Sequence, residues 1–187
     1  MIAADSNGVE IIMKGFLATA LLLGVVATPA FAAMKPGDKA PDFTAKATVG
    51  GDEFNFSLAD ALKKGPVVLY FFPKAFTKGC TAEAHEFAEA TEQFKAAGAT
   101  LIGMSADDIG TLHKFSTQEC SSKFPVAADP DLKVIKSFDS VMEGKNISDR
   151  TSFVIKQDGT VAYVYSDRNP DKHVENTLTA VKALTKK

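Results

Sequence analysis

The stretch that decides the fold is one uninterrupted apolar run, Pro66-Val67-Val68-Leu69-Tyr70-Phe71-Phe72. It is bounded on its N-terminal side by Gly65, and it is too short for an ordinary helix. A strand without alternating polar residues is typical of the buried centre of a sheet, where both faces are covered. The run therefore predicts a central strand, and the rest of the chain can be arranged around it.

Strands and helices alternate on both sides of this central strand. Gly50-Gly51 separates two alternating runs and predicts a β-hairpin, and Asp158-Gly159 marks a second tight hairpin near the end. The predicted strands cover residues 44–49, 53–58, 66–72, 100–105, 124–128, 151–155 and 161–165. The predicted helical segments cover residues 57–62, 81–97, about 107–120, 131–138 and about 171–184. This order predicts an α/β fold in which a mixed central sheet is flanked by helices.

Composition excludes several classes of protein. The 187 residues suffice for one domain, and the 45% of hydrophobic residues, with 14 Phe, can build a core. Lys+Arg 21 against Asp+Glu 23 leaves no basic field for nucleic acid. Two cysteines exclude a Cys-rich zinc module and a disulfide-dense scaffold. His113 and His173 lie far apart without a ligand pattern, so we expect no metal site.

The N-terminus has the pattern of a secretory signal peptide. Met13-Lys14 precedes an apolar run over 15–27 and a small-x-small end at Ala32. We expect cleavage after Ala32, a domain over 33–187, and an exported, periplasmic protein without stable membrane association. An uncleaved anchor is the alternative, but the run is shorter than the ~20 residues of a membrane span. Asp5 and Glu10 are unusual in a signal peptide, which favours Met13 as the initiator.

The chemistry of the chain centres on Cys80. It follows the central strand and falls in the first turn of a predicted helix, where unpaired N–H groups and the helix dipole favour a thiolate. The apolar stripe of that helix, which includes Ala84 and Phe87, turns the sulfur toward the protein interior. A buried thiol would be inert without a nearby cation. Arg150, which opens the strand over 151–155, is the candidate.

The run Pro73-x-x-x-Thr77-x-x-Cys80, together with Arg150 ahead of Thr151-Ser152-Phe153, resembles the peroxiredoxin active-site signature. The resemblance covers roughly residues 35–185 and is greatest to the peroxiredoxin Q branch, also called bacterioferritin comigratory protein. It implies a thioredoxin-like fold with an N-terminal β-hairpin extension. It also implies a thiol-dependent peroxidase that reduces hydrogen peroxide and organic hydroperoxides without a cofactor, as a monomer or weak dimer.

The resemblance also assigns roles to individual residues. Cys80 would be the peroxidatic nucleophile, which attacks the hydroperoxide and becomes a sulfenic acid. Thr77 would bind the peroxide through its hydroxyl, Arg150 would stabilise thiolate and peroxide, and Pro73 would shield the pocket from water. Fixed donors at these positions would lower the barrier, because negative charge concentrates on sulfur and on the breaking O–O bond.

The sequence departs from the pattern of this branch at two positions. Many members carry a resolving cysteine five residues after the nucleophile, where this chain has His85. Cys120, near the end of the next predicted helix, is the remaining thiol and the candidate resolving cysteine. It would form an intramolecular disulfide that a thioredoxin-like or other thiol reductant then opens. Lys78 replaces the proline that usually precedes Gly-Cys.

Two other functions remain possible at the level of sequence. A disulfide oxidoreductase of the thioredoxin type would share the fold, but it normally needs Cys-x-x-Cys, and Cys80 has no such partner. A non-catalytic thioredoxin-fold binding domain with a structural disulfide is the second alternative. Consumption of peroxide would distinguish the three.

Overall fold

The computed structural model describes residues 34–185, so the predicted signal peptide over 1–32 lies outside the described residues. Within residues 34–185, no helix combines the length and hydrophobicity that crossing a membrane requires. The elements are, in chain order, β1 (Thr44–Val49), β2 (Asp52–Ser57), α1 (Leu58–Leu62), β3 (Val67–Phe71), α2 (Lys78–Ala96), β4 (Thr100–Ser105), α3 (Ile109–Gln118), β5 (Val126–Ala128), α4 (Lys133–Ser137), β6 (Thr151–Ile155), β7 (Val161–Ser166), a 3₁₀ turn (Pro170–Lys172) and α5 (His173–Thr185).

The strands form one mixed sheet in the order β2-β1-β5-β4-β3-β6-β7. β3 pairs in parallel with β4 and antiparallel with β6, and every residue of β3 is buried. The apolar run after Gly65 is therefore a central strand, as predicted. The sequence prediction of an α/β fold with a mixed sheet is confirmed.

The N-terminal hairpin extends the sheet at one edge. β1 pairs with β2 through a turn at Gly50 and Gly51, whose φ angles are 59° and 98°. Only glycine adopts such angles readily, and two in succession suit the tight turns that join hairpin strands. β1 also pairs antiparallel with β5, so the predicted hairpin belongs to the central sheet.

Two separate hydrophobic clusters cover the two faces of the sheet. On one face, helices α2, α3 and α5 pack over alternate residues of β3, including Tyr70, and this cluster contains both cysteines. On the other face, α1 and α4 pack over the intervening residues of β3, including Phe71. Side chains of a strand alternate between faces, so one strand supplies both clusters. The site described below lies in the cluster that contains Tyr70.

Two predicted helix boundaries are wrong, and both lie beside a cysteine. Helix α2 begins at Lys78, three residues before the predicted start, with Thr77 as its N-cap residue. Helix α3 ends at Gln118, so Cys120 lies beyond it and not within its last turn. The chain turns out of the helix because Ser121 and Ser122 have φ angles of 50° and 56°. This left-handed conformation ends helices and costs a non-glycine residue conformational energy.

Candidate active site

Cys80 lies in the first turn of α2, directly after the loop that follows β3. Its side chain is 1% exposed, and its sulfur accepts a hydrogen bond from Arg150 Nη2 at 3.4 Å. The positive end of the helix dipole and a guanidinium therefore act on the same sulfur atom. The sequence prediction that Arg150 supplies the required cation to a buried Cys80 agrees with this geometry.

Arg150 is itself held in place by three contacts. Nε donates to the carbonyl of Arg168 at 3.0 Å, Nη1 forms an ion pair with Glu83 Oε2, and Nη2 points at Cys80. A Cβ atom at Gly79 would lie 3.1 Å from Nη2, so the glycine before the cysteine leaves room for the guanidinium. The arginine is 5% exposed, and its planar fork cannot turn away without breaking these bonds.

Glu83 is a site residue that the sequence analysis did not identify. It is fully buried one turn after Cys80 on α2, and burial raises its pKa to about 8 even though Arg150 favours the carboxylate. Its second oxygen, Oε1, has no hydrogen-bond partner among the described residues. The sequence does carry a signal for it, because Glu83 is a charged residue on the apolar stripe of a helix, where charge is rare unless paired.

His173 is a second residue that the sequence analysis did not place in the site. It begins α5, it is fully buried, and its Nδ1 atom lies 3.7 Å from Glu83 Oε1. Nε2 lies 3.0 Å from the carbonyl oxygen of Asp167, and Nδ1 lies 2.8 Å from Ser152 Oγ. A carbonyl only accepts, so Nε2 carries the hydrogen, and in the neutral ring Nδ1 accepts from the Ser152 hydroxyl. Burial lowers the pKa of His173, which favours this neutral form.

The loop before Cys80 is fixed by contacts with the turn after β4 and with the segment ahead of β6. Asp107 Oδ2 accepts from the backbone N–H of Ala75 at 2.7 Å, and Ser148 Oγ donates to the carbonyl of Phe72 at 2.7 Å. The Thr77 hydroxyl donates to the carbonyl of Lys74 at 2.9 Å and is exposed. With its hydrogen directed at Lys74, the Thr77 oxygen keeps lone pairs with which it can accept.

Pro73 and Phe76 form the remaining apolar part of the loop. Pro73 is partly buried immediately after Phe72, at the end of the central strand. Phe76 is 42% exposed, has a φ of 62°, and packs edge-on against Phe115 of α3 with ring centroids 5.3 Å apart. The strained backbone at Phe76 lies four residues before the reactive sulfur, where such strain is often found in active sites.

Cys120 is fully buried and is not bonded to Cys80; both cysteines are free thiols. Burial strongly raises the pKa of Cys120, and the nearby charge of Glu119 raises it further. A thiol reacts as the thiolate, so Cys120 is inert in the position that it occupies here. Glu119 also pairs with His85 of α2, with Nε2 and Oε2 2.8 Å apart. This contact, hereafter the His85–Glu119 pair, joins the helix of Cys80 to the residue before Cys120.

Among residues 34–185, no three His, Cys, Asp or Glu side chains are grouped closely enough to hold a metal ion. The arrangement around Cys80 offers instead one buried sulfur, one guanidinium and one exposed hydroxyl. These groups suit nucleophilic attack by a thiolate on a small polar substrate.

Comparison with known proteins agrees with this chemistry. Residues 36–164 match the model of the AhpC/TSA family. The chloroplastic peroxiredoxin Q of Suaeda salsa is 35% identical over 156 residues, covering 82% of this chain and 70% of that protein. The chloroplastic peroxiredoxin Q of Oryza sativa subsp. japonica is 33% identical over 151 residues, covering 79% of this chain and 67% of that protein.

Solved structures show the same fold. The crystal structure of the peroxidoxin BcpB from Mycobacterium tuberculosis has a TM-score of 0.73 at 31% identity, covering 81% of this chain and 98% of that one. A reduced 2-Cys peroxiredoxin from Plasmodium vivax has a TM-score of 0.72 at 23% identity, covering 81% of this chain and 82% of that one, which supports the fold alone. The thioredoxin-like peroxiredoxin fold expected from the sequence is therefore confirmed.

The chain belongs to the AhpC/TSA family. It is an enzyme of the peroxiredoxin class, a thiol-dependent peroxidase. Membership of this family decides between the three functions that the sequence left open.

Proposed function

We propose that Cys80 is the peroxidatic nucleophile of this peroxidase and that Arg150, Thr77 and Pro73 complete its active site. The observation that carries the proposal is the contact of Arg150 Nη2 with a buried Cys80 sulfur in the first turn of α2. The guanidinium and the helix N-terminus favour the thiolate, which is the reactive form of cysteine. Hydrogen peroxide and organic hydroperoxides are the proposed substrates.

The first half of the reaction follows from this arrangement. The Cys80 thiolate forms a bond to the terminal oxygen of the hydroperoxide while the O–O bond breaks. The leaving oxygen takes up a proton and departs as water or an alcohol, and Cys80 becomes a sulfenic acid. Arg150 stabilises the negative charge on both sides of the breaking bond. Thr77, whose hydrogen is used on Lys74, accepts from the hydroperoxide O–H.

The role of Cys80 is tested by replacing it with serine. We expect Cys80→Ser to fold but to lose peroxide consumption, because a serine alkoxide is far harder to form than a thiolate. The matched control is Cys120→Ser, which we expect to consume one equivalent of peroxide per chain before it stalls. If Cys80→Ser retained more than trace turnover, the nucleophile would be another group.

We further propose that Cys120 resolves the sulfenic acid. Its thiolate would attack the Cys80 sulfur, water would leave, and one intramolecular disulfide would form. The support is that both thiols belong to the same hydrophobic cluster and are carried by segments that touch through the His85–Glu119 pair. Since Cys120 is buried and protonated as it stands, the segment after α3 must open first.

Peptide mapping under non-reducing conditions tests this second proposal. We expect a Cys80–Cys120 peptide after one equivalent of peroxide, with loss of helical signal. Cys120→Ser should accumulate sulfenic acid or overoxidised Cys80 unless an external thiol resolves it. A Cys80–Cys80 link between chains, or undiminished turnover of Cys120→Ser with a thioredoxin-like reductant, would show that Cys120 is not the resolving residue.

The cellular setting is also a proposal. The pattern over residues 13–32 supports export to the periplasm and removal of the signal after Ala32. A thioredoxin-like or other thiol reductant would then complete each cycle, and the enzyme would act as a monomer or weak dimer. Cell fractionation with N-terminal sequencing tests export: intact residues 13–32 in a cytoplasmic fraction would contradict it.

A further inference from the structure

Beside Arg150 lies a buried polar pair that the peroxidase chemistry described above does not use. Glu83 and His173 are both fully buried, and they come from α2 and α5. Glu83 Oε1 has no hydrogen-bond partner among the described residues, and His173 Nδ1, 3.7 Å away, faces it. A buried oxygen without a partner is costly, so the position calls for an explanation.

The charges of Cys80, Arg150 and Glu83 indicate that the buried pair holds a proton. With Cys80 as the thiolate, Arg150 supplies one positive charge against one negative charge. An ionised Glu83 would add a second negative charge at a fully buried position. Burying an unbalanced charge is strongly unfavourable. A proton on Glu83 restores neutrality.

The hydrogen bonds of His173 indicate where this proton sits. Nε2–H is committed to the carbonyl of Asp167, so Nδ1 offers a lone pair on the side of Glu83. A proton on Glu83 Oε1 would therefore point at this lone pair, which it would share with the hydroxyl of Ser152, whose Oγ lies 2.8 Å from Nδ1. Without that proton, the lone pairs of Oε1 and Nδ1 would face each other.

We propose that Glu83 and His173 together hold one buried proton, located on the carboxyl, which leaves the positive charge of Arg150 free to act on the Cys80 thiolate. Glu83 and His173 are thus positioning residues that act through Arg150. The inference rests on the proposed role of Cys80. It agrees with the raised pKa of Glu83 and the lowered pKa of His173, both of which burial causes.

Other titratable groups around the pair are few and do not replace this proton. Tyr70 of β3 is buried, its hydroxyl has no hydrogen-bond partner within residues 34–185, and burial holds its pKa well above the ordinary value, so it stays neutral. The remaining groups lie on α2, on β7 and around the 3₁₀ turn: Cys80, Glu86, Tyr165, Asp167 and Asp171. Glu86 disfavours the ionised form of Glu83, which acts in the same direction as burial.

The protonation of Glu83 can be measured directly in the reduced protein. The ¹³C resonance of each glutamate side-chain carboxyl reports its ionisation, and the resonance missing from Glu83→Gln identifies Glu83. We expect it to titrate with a midpoint near 8, against about 4.3 for an unperturbed glutamate. A Glu83 carboxyl already ionised at pH 6 would overturn the proposal.

The consequence for the reaction is read from the rate constant of Cys80 with hydrogen peroxide as a function of pH. Competition with a haem peroxidase for peroxide measures it, since the chain contains no Trp to report by fluorescence. We expect the native rate constant to fall as Glu83 ionises, because the new negative charge offsets Arg150. In Glu83→Gln, which cannot ionise, this alkaline fall should disappear. A fall of unchanged midpoint in Glu83→Gln would contradict the proposal.

The part of His173 is tested by a pair of variants. His173→Phe keeps a ring but removes the acceptor facing Glu83, so the midpoint of the alkaline fall should move to lower pH. His173→Asn places an amide oxygen near the position of Nδ1 and should restore the native midpoint. Equal midpoints in all three proteins would show that His173 is only a packing residue. If His173→Phe does not fold, His173→Leu, which also lacks an acceptor, takes its place in the comparison.

Failure of this inference differs from failure of the proposed function. Peroxide consumption by Cys80→Ser tests the nucleophile, while the Glu83 carboxyl resonance of the native reduced protein tests the proton. If Cys80→Ser is inactive and Glu83 is ionised at pH 6, Cys80 remains the nucleophile and only the proposal of a buried proton fails. If Cys80→Ser stays active and Glu83 is protonated, the buried proton remains and the proposed role of Cys80 fails.

Discussion

At the residue scale, Arg150 is the side chain that brings positive charge to the sulfur of Cys80. We expect Arg150→Met to slow the reaction of Cys80 with hydrogen peroxide by about 100-fold or more, the usual effect of losing one donor to developing negative charge. Alkylation of Cys80 should slow as well, because the counter-charge of its thiolate is gone. Rates of alkylation and of peroxide reduction check both effects.

The control for Arg150 lies close to it in the structure. Arg168 is exposed and contributes only its backbone carbonyl to Arg150, so Arg168→Met should react at the native rate. Arg150→Lys keeps the charge but not the planar fork, and should fall between the native protein and Arg150→Met. Equal rate constants in all of these proteins would remove Arg150 from the active site.

Glu83 affects the stability of the protein as well as its chemistry. A carboxyl whose pKa is raised from 4.5 to about 8 on folding binds more protons in the native state than in the unfolded state. The free energy of unfolding therefore falls as pH rises through this window, by at most about 1.4 kcal/mol per pH unit. The free energy of unfolding of Glu83→Gln should lack this dependence on pH. Urea unfolding of both proteins at several pH values measures it, and parallel pH profiles would contradict the prediction.

The sequence predicted Cys80 and Arg150 but not their buried neighbours. Cys80 could be predicted because it lies at a helix start on a buried stripe, and Arg150 because a buried thiol needs a cation. Glu83 and His173 were not predicted, because their roles depend on how α5 packs against α2, which no local pattern specifies. A glutamate on an apolar helical stripe signals burial, but it does not say which side chain balances the charge.

At the scale of elements, the junction between α2 and the end of α3 controls access of Cys120 to Cys80. The His85–Glu119 pair holds the two segments together, and its side chains are 51% and 19% exposed. Opposing it, Ser121 and Ser122 adopt left-handed backbone angles that serine does not favour. Such a segment opens at little cost in free energy. The junction is therefore closed but easily released.

Removing the His85–Glu119 pair should speed resolution without changing the first step. A surface contact between two such side chains contributes about 0.2–1 kcal/mol, so His85→Ala should raise the rate of disulfide formation by about 1.5- to 5-fold. The rate of sulfenic acid formation should stay native. Rapid quenching with a thiol-blocking reagent, followed by mass spectrometry of intact protein, separates the two steps.

Helix α2 offers a matched control for His85. Lys95→Ala removes a more exposed pair, that of Lys95 with Glu92, which lies within α2 and does not reach α3. It should leave disulfide formation at the native rate. If His85→Ala and Lys95→Ala behaved alike, the junction would not limit resolution.

The order of elements was predictable because hydrophobic periodicity and turn residues are local. The central strand, both hairpins and the succession of helices follow from these patterns. The start of α2 and the end of α3 were not predicted correctly. Thr77 caps α2 without a side-chain hydrogen bond, and Ser121 and Ser122 are not glycines, so neither boundary carries its usual signal.

At the scale of the whole molecule, the sheet separates the two hydrophobic clusters completely. Both cysteines, Arg150 and the helices α2, α3 and α5 belong to one side. Helices α1 and α4, with the aromatic contacts of Phe71, Phe138 and Phe153, belong to the other. The proposed opening around Cys120 breaks packing on the first side only.

If Cys120 resolves the sulfenic acid as proposed, each catalytic cycle rearranges only the half of the enzyme on the Cys80 side of the sheet. Amide hydrogen exchange should show this division. After one equivalent of peroxide, we expect the amides of the first turns of α2 and of the end of α3 to exchange faster, and those of α1 and α4 to keep their rates. Acceleration spread evenly over both halves would mean that oxidation loosens the whole molecule. If the faster exchange is confined to one half, the buried thiol can be exposed and buried again in each cycle. The packing of the other half then stays intact and serves as the template on which the first half refolds.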